Sequence, residues 1–222
     1  MNSYTSLLVG VLGVVLLTGC ATKQPPYDYT SFNKAKPATL LVMPPLNNSP
    51  DIKATPSMWA TATKPLAEAG YYVLPVTLVD ETLRQNGVET ATDAHAISIN
   101  KLQDYFGADA AVYIKVSRYG ATYAVVTSET VVEADAKIVD LRTGAILWEG
   151  TARASSAEQQ QSQSSVAGLL IAALVNQIVS TTTDAAHNYA GVASDRLLAA
   201  PRYNGVLPGP RSQLFGKTVT PP

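Results

Sequence analysis

The chain contains 222 residues with a formal net charge of −1, and 46% of its residues are hydrophobic but only 15% are charged. This charge balance offers no basic surface that could neutralise phosphates, so it argues against nucleic-acid binding. A charged fraction well below the average of about 25% indicates that part of the surface faces another protein or a membrane.

The N-terminus carries an export signal. The apolar run Leu7–Leu17 has the length of a signal-peptide core, about 7–15 residues, and is shorter than the roughly 20 residues that cross a bilayer. It leads into Leu17-Thr18-Gly19-Cys20, which contains the only cysteine of the chain. This pattern is typical of a bacterial lipoprotein processing site. It predicts that the signal peptidase recognises Leu17, Thr18 and Gly19 and that Cys20 is acylated.

Acylation also accounts for a single cysteine in an exported chain. A lone cysteine cannot form an intramolecular disulfide in an oxidising compartment, and acylation removes the free thiol that would remain. The alternatives are an ordinary signal peptide followed by an unrelated cysteine, and a short N-terminal membrane anchor. Residues 1–6 contain no Lys or Arg, which counts against a lipoprotein signal.

The composition divides the chain into four predicted segments. Residues 1–19 form the signal peptide, and residues 20–37, which are polar and contain prolines, form a lipidated tether. Residues 38–200 form one α/β domain, since about 200 residues after the signal peptide suit one medium-sized domain. Residues 201–222 are rich in Pro and Gly and form either an extended strap or a disordered end.

The domain is predicted to begin with a βαβ unit. The apolar run Ala38–Met43 predicts a buried strand, and Tyr71–Val76 predicts a second one. Thr55 followed by proline predicts a helix over Ser57–Ala69, with a kink at Pro65. Strands joined in this way favour a parallel, helix-covered sheet.

Two further helices and a hairpin are predicted next. The helices are Leu78–Gln85 and Asp93–Phe106, the second with apolar residues at helical spacing. Ala110–Tyr119 is predicted to be a strand that turns at Gly120 into a partner strand near Tyr123–Thr127.

The following segment completes an antiparallel meander of about four strands. Glu129–Leu141 alternates, with Val131, Glu133, Asp135 and Lys137 on one face and Val132, Ala134, Ala136 and Ile138 on the other. After a turn, Ala145–Ala154 forms the last strand and brings Ile146 and Trp148 to the sheet. The predicted fold is an α/β sandwich of two or three layers with a mixed sheet, from a βαβ start through an antiparallel meander to C-terminal helices.

The C-terminal part contains one unusually apolar segment. Val166–Val179 is apolar except at Gly168, Asn176 and Gln177, and it is too short to span a membrane. A helix that is apolar all round must be buried, whether in its own core, in a protein interface or at the bilayer interface. A last helix is predicted over Asp184–Ala199.

Five short sequences together carry a family resemblance. They are Ala69–Val76, Glu81–Gly87, Phe106–Ala110, Val139–Gly144 and Leu147-Trp148. The chain resembles an uncharacterised family of Gram-negative lipoproteins that includes a meningococcal surface-antigen candidate. The resemblance implies a fold similar to the N-terminal domain of TolB and to the periplasmic part of CsgG, the curli secretion lipoprotein. It also implies genomic association with a CsgG-like lipoprotein, and it implies no catalytic residues.

The residues available for catalysis are few. His95 and His187 are the only histidines, and the chain lacks a nucleophile elbow, a phosphate-binding glycine loop and a zinc-binding histidine pair. We therefore predict that His95 is structural, and no metal ligand, cofactor or catalytic residue is predicted. Asp140 is predicted to accept backbone N–H bonds in a turn where Gly144 takes a positive φ, and Asp109 is interpreted similarly.

These observations favour a non-enzymatic lipoprotein of the outer membrane, facing the periplasm. It would act as a protein–protein interaction module in a CsgG-like envelope assembly or secretion complex. Its expected partners are the membrane, through the lipid anchor, and envelope proteins, with a CsgG-like lipoprotein and further copies of the chain as candidates. The alternative is a regulator of peptidoglycan synthesis similar to LpoB-type activators, with reach provided by the tether. A hydrolase would require a pocket that pairs two carboxylates, or His95 with one.

Overall fold

A computed structural model describes residues 25–123, 128–158 and 185–217 of the chain. The predicted signal peptide, Cys20 and the apolar segment Val166–Val179 therefore lie outside the described residues. Within the described part, no helix combines the length and the apolar character that are needed to cross a membrane.

The described part of the chain begins with helices and short strands and continues with three long strands and a last helix. In chain order they are α1 (Thr30–Ala35), β1 (Thr39–Val42), β2 (Leu46–Asn47), α2 (Ala54–Glu68), β3 (Tyr72–Val73), α3 (Val76–Gln85), α4 (Ala91–Ala96), α5 (Ile99–Phe106), β4 (Ala110–Tyr123), β5 (Ser128–Asp140), β6 (Ile146–Ser155) and α6 (Ala185–Leu198).

These strands form one mixed sheet in the order β3-β1-β4-β5-β6, and β2 also pairs with β4. β1 is parallel to both β3 and β4, and β2 is parallel to β4, whereas β5 is antiparallel to both β4 and β6. The parallel part is the predicted βαβ unit, in which α2 connects β1 to β3. The predicted α/β sandwich with a mixed sheet is confirmed.

The predicted hairpin at Gly120 is wrong. β4 continues through Gly120, which pairs with Val131, and the strand ends at Tyr123 opposite Ser128. Gly120 has a φ of +103°, yet the ladder on either side of it is unbroken. Because continuous pairing satisfies the backbone groups of both strands, one glycine does not end the strand. The meander therefore contains three long strands rather than four.

Two other local predictions differ from the structure. The helix predicted over Asp93–Phe106 is divided into α4 and α5, because Ile97 adopts an extended conformation with ψ of 133°. Ile146 is 49% exposed rather than buried. The register between β5 and β6 shifts after Ile138, so that Leu147 and Trp148 are both buried. A bulge of this kind turns neighbouring side chains toward the same face, which strict alternation does not predict.

Much of the core lies between one face of the sheet and the two long helices α2 and α6, and buried residues of α3, α4 and α5 extend it: Val79, Leu83, Ala94 and Leu102. α6 packs against β4, β5, β6 and α2. Hydrogen bonds also join the helices: Ser57 Oγ lies 2.8 Å from His187 Nδ1, and Thr61 Oγ1 lies 2.8 Å from Ser194 Oγ. The opposite face of β4–β6 carries mostly polar side chains.

Both ends of the described chain are tied to the sheet by a group of hydrogen bonds that we call the clasp. The side chain of Asn204 accepts a bond from the Tyr27 N–H and donates one to the Pro25 carbonyl, each at 2.9 Å. The backbone carbonyl of Asn204 accepts a 3.0 Å hydrogen bond from Trp148 Nε1. The Tyr29 hydroxyl donates to the Gly205 carbonyl. Although the tether is predicted to extend to residue 37, the chain is therefore docked from Pro25 onward.

After the clasp, residues 205–212 form a strap that crosses the end of α2. The Gly209 N–H donates to the Ala69 carbonyl at 2.8 Å, and the Arg211 N–H donates to the Gly70 carbonyl at 3.0 Å. The backbones approach closely because both residues at the crossing are glycines. A Cβ added to Gly209 would lie 2.7 Å from the Gly70 carbonyl oxygen.

We expect Gly209→Ala to lower the free energy of unfolding by about 1–3 kcal/mol, because the added methyl group would force the strap away from α2. Urea denaturation measures this change. Gly191→Ala is the matched control, since a Cβ at this position in α6 meets nothing within 4 Å. That variant should be neutral or more stable by up to about 1 kcal/mol. Equal destabilisation by both substitutions would contradict the packing described for the strap.

Candidate functional site

The candidate site is the sheet face that α2 and α6 leave uncovered. Side chains that alternate along β4, β5 and β6 form this surface, which we call the open face: Tyr113, Lys115, Asp135, Lys137, Glu149 and Thr151. They line a cavity of about 560 Å³ together with Leu46 from β2, His95 from α4, and Ile114, Ala136 and Gly150 of the same three strands. The cavity is therefore a concave polar surface formed mainly by the three antiparallel strands.

Charges of opposite sign lie side by side across the strands of the open face. The register places Lys137 between Tyr113 and Glu149, and Asp135 between Lys115 and Thr151. The Thr151 hydroxyl donates a 2.6 Å hydrogen bond to Asp135 Oδ1. The Lys137 ammonium lies 5.5 Å from the centre of the Tyr113 ring, within cation–π range. Each row therefore offers an incoming molecule both a cationic and an anionic group.

His95 lies at the rim of this cavity and is held by two neighbours. Its Nε2 lies 2.9 Å from the Pro44 carbonyl oxygen, and its ring meets the Tyr113 ring edge-on at 5.1 Å and 82°. Because the carbonyl can only accept, Nε2 carries a proton. Burial lowers the pKa of His95; Lys137 also lowers it, whereas the bond to Pro44 acts in the opposite direction.

The two aspartates singled out by the sequence have structural partners. Asp140 is buried, and its Oδ2 accepts a 2.6 Å bond from the Thr143 hydroxyl rather than from a backbone N–H. Gly144 has the expected positive φ, at +76°. Asp109 Oδ2 accepts the backbone N–H groups of Ala38 and Thr39, both at 2.9 Å, and so joins the start of β1 to the start of β4.

Two of the three residues in the cavity that a hydrolase could use are held by other partners. The cavity contains His95, Asp135 and Glu149, but His95 bonds to Pro44 and Asp135 bonds to Thr151. His187 lies on the covered side of the sheet, where it bonds to Ser57. No three His, Cys, Asp or Glu residues in the described part are grouped so that they could hold one metal ion.

Fold and site together define a class of protein: a mixed α/β domain with one helix-covered sheet face and one open polar face. The family model described as "Putative lipoprotein GNA1162-like" matches residues 27–211. The "Putative lipoprotein NMB1124/NMB1162" of Neisseria meningitidis serogroup B is 44% identical over 206 residues, which cover 92% of this chain and 95% of that protein. The chain belongs to the GNA1162-like family of lipoproteins.

A solved structure of a family member agrees with this assignment. The crystal structure of lipoprotein GNA1162 from Neisseria meningitidis is 45% identical, with a TM-score of 0.52, and the match covers 65% of this chain and 100% of that one. The C-terminal domain of LpoB from Salmonella enterica is 18% identical, with a TM-score of 0.39, over 53% of this chain and 82% of that one. The similarity to LpoB is too low to carry an argument about function.

Family membership confirms the lipoprotein resemblance seen in the sequence, and it supports a lipid-anchored location in the cell envelope. The TolB-like and CsgG-like fold that the resemblance implied is not supported by these similarities and stays a prediction.

The lowered pKa of His95 makes stability depend on pH. The unfolded chain, with a histidine pKa of about 6.5, binds this proton more readily than the folded protein. The stability contributed by the neutral imidazole is therefore complete above about pH 6.5 and is lost as the pH falls toward the pKa of the folded protein. We expect His95→Gln, whose amide can still donate to Pro44, to flatten the decline of unfolding free energy below that pH. An unchanged slope in urea titrations would contradict the assignment.

Proposed function

We propose that the protein is a non-enzymatic lipoprotein, anchored in the outer membrane by acyl chains on Cys20 and facing the periplasm. In this proposal it acts as a protein–protein interaction module in a CsgG-like envelope assembly or secretion complex. The open face is the surface that contacts the partner, and a CsgG-like lipoprotein is the partner that the sequence resemblance favours.

The open face is the observation that supports this proposal. Interfaces between separately folded proteins are about as polar as the rest of the surface, with aromatic residues enriched at their centre. Here Tyr113 is half-buried and Lys137 lies on its ring, while Lys115, Asp135 and Glu149 are exposed. A partner with the reverse order of charges would fix both its orientation and its register on this surface.

The position of the clasp favours this function over long-range regulation of peptidoglycan synthesis. Pro25, the first residue held by Asn204, is five positions after Cys20 in the sequence. Fully extended, such a segment spans at most about 18 Å. The reach that an LpoB-like activator would need is therefore not available from residues 25–37, which are docked. A partner that itself lies near the same membrane suits this geometry better.

The anchor is tested by Cys20→Ser. We expect the variant to leave the membrane fraction and to incorporate no labelled palmitate, because no other cysteine can take its place. Fractionation of the variant with membranes, together with a wild type that incorporates no palmitate, would contradict the lipid anchor.

The interaction surface is tested by photo-crosslinking in intact cells. A photoreactive residue at Lys115 or Thr151 should capture a CsgG-like lipoprotein, identified by mass spectrometry. The matched control is Lys64 on α2, whose side chain is 68% exposed on the covered side of the domain. The photoreactive residue at position 64 should capture none of the proteins that positions 115 and 151 capture. Asp135→Asn should weaken the capture from position 115. Capture of a peptidoglycan synthase would favour the alternative function, and equal capture from all three positions would contradict the open face as the interface.

A further inference from the structure

The clasp determines which end of the domain lies nearest to the lipid. Pro25 is held by Asn204 and lies at most about 18 Å from the acylated cysteine of the proposed anchor. From Pro25 the chain runs through Tyr27 and Tyr29 into α1, which leads directly to the start of β1. The opposite end of the sheet carries Ile52, next to Asp51, which approaches Gly120 far along β4. Gly120 is ten positions after Ala110 in β4, so the two ends of the sheet are about 33 Å apart along this strand.

A groove opens at the clasp end, between α1 and the last described residues. Its volume is about 260 Å³, and its lining includes the apolar side chains of Phe32, Leu207 and Phe215. Tyr29 belongs to both features, because its ring lines the groove while its hydroxyl bonds to Gly205 in the clasp. Burial raises the pKa of Tyr29 to about 12, so the hydroxyl remains a donor in that bond. The groove is therefore fixed to the point where the tether meets the domain.

The groove combines exposed apolar groups with positive charge. Phe215, which lines the groove, is 46% exposed. Among the described residues that line the groove, the charged ones are Lys36 and Lys217, and both are exposed. An apolar side chain flanked by lysines suits the boundary between phospholipid headgroups and acyl chains, because the ring enters the apolar layer while the ammonium groups meet phosphate.

We propose that this groove is a membrane-contact surface for anionic phospholipid, on which the clasp end of the domain rests. Phe215 contacts the acyl-chain boundary, and Lys36 and Lys217 contact the headgroup phosphates. The inference rests on the lipid anchor proposed at Cys20, which keeps the groove within reach of the bilayer. The protein would thus be held in one orientation at the membrane, with the open face of the sheet accessible to a partner.

The test uses the acylated full chain, purified from membranes and reconstituted into vesicles of phosphatidylethanolamine and phosphatidylglycerol with brominated acyl chains. Phe215→Trp places a fluorescent probe in the groove, against a background of two native tryptophans that are at most 9% exposed. Bromine should quench the emission of this probe. The matched control is Ile52→Trp, at a position that is 87% exposed at the opposite end of the sheet, and its emission should not be quenched.

The lysines are tested by neutralisation in the Phe215→Trp protein. Each lysine near an anionic surface contributes about 1 kcal/mol, so K36Q/K217Q should shift the equilibrium away from contact by about fivefold per lysine. K53Q/R118Q removes two exposed positive charges elsewhere and should leave the quenching unchanged. Replacing phosphatidylglycerol with phosphatidylcholine should reproduce the loss seen with K36Q/K217Q.

Flotation of the vesicles separates failure of the anchor from failure of the contact surface. A wild type that does not float with vesicles would refute the anchor and the inference together. A protein that floats but shows no quenching at Phe215→Trp, or equal quenching at Ile52→Trp, would refute the membrane contact alone. Quenching that arises only after deletion of residues 218–222 would show that this segment occupies the groove, and capture of a second copy by crosslinking there would show a protein interface; either result would overturn the proposal.

Discussion

The docking of the N-terminal segment on the domain depends on the hydrogen bonds of one residue, Asn204. The side-chain amide of Asn204 forms hydrogen bonds with the backbone of Pro25 and of Tyr27. Its backbone carbonyl accepts a hydrogen bond from the indole of Trp148. Neutral hydrogen bonds each contribute about 1 kcal/mol, so the clasp gains strength from joining three segments at one point. The hydroxyl of Tyr27 also accepts the N–H of Glu149 at 3.1 Å. The clasp thereby covers part of β6, an edge strand whose unpaired backbone groups would otherwise invite pairing with other chains.

The clasp also connects the fold to the proposed function. A lipoprotein with a long free tether can search a large volume for its partner, whereas a domain docked within about 18 Å of its anchor is confined to the membrane surface. Confinement of this kind raises the local concentration of a partner in the same membrane. The polar open face and the groove with Phe215 lie on different elements of the fold. Contact with lipid and contact with a partner therefore use separate surfaces in this account.

Local patterns in the sequence predicted much of the fold and part of the candidate site. Alternation in β5 placed Asp135 and Lys137 on the same face, and the turn chemistry predicted the positive φ of Gly144. His95 at the rim of the open face was not predicted as part of a site, because its position depends on where α4 lies relative to β4. The clasp was missed because Tyr27 and Asn204 are 177 residues apart and no local pattern joins them. The shift in register after Ile138 is likewise a property of paired strands and not of either strand alone.

The central claim of this account is that the tether is docked on the domain from Pro25 onward. Hydrogen exchange at the amide of Tyr27, in the acylated protein in vesicles, tests it most directly because this N–H donates to Asn204. A docked tether predicts that the amide exchanges orders of magnitude more slowly than in an unstructured peptide, and that Asn204→Ala removes the protection while the amides of β5 stay protected. Exchange of the Tyr27 amide at the rate of an unstructured peptide in the wild-type protein would contradict the account.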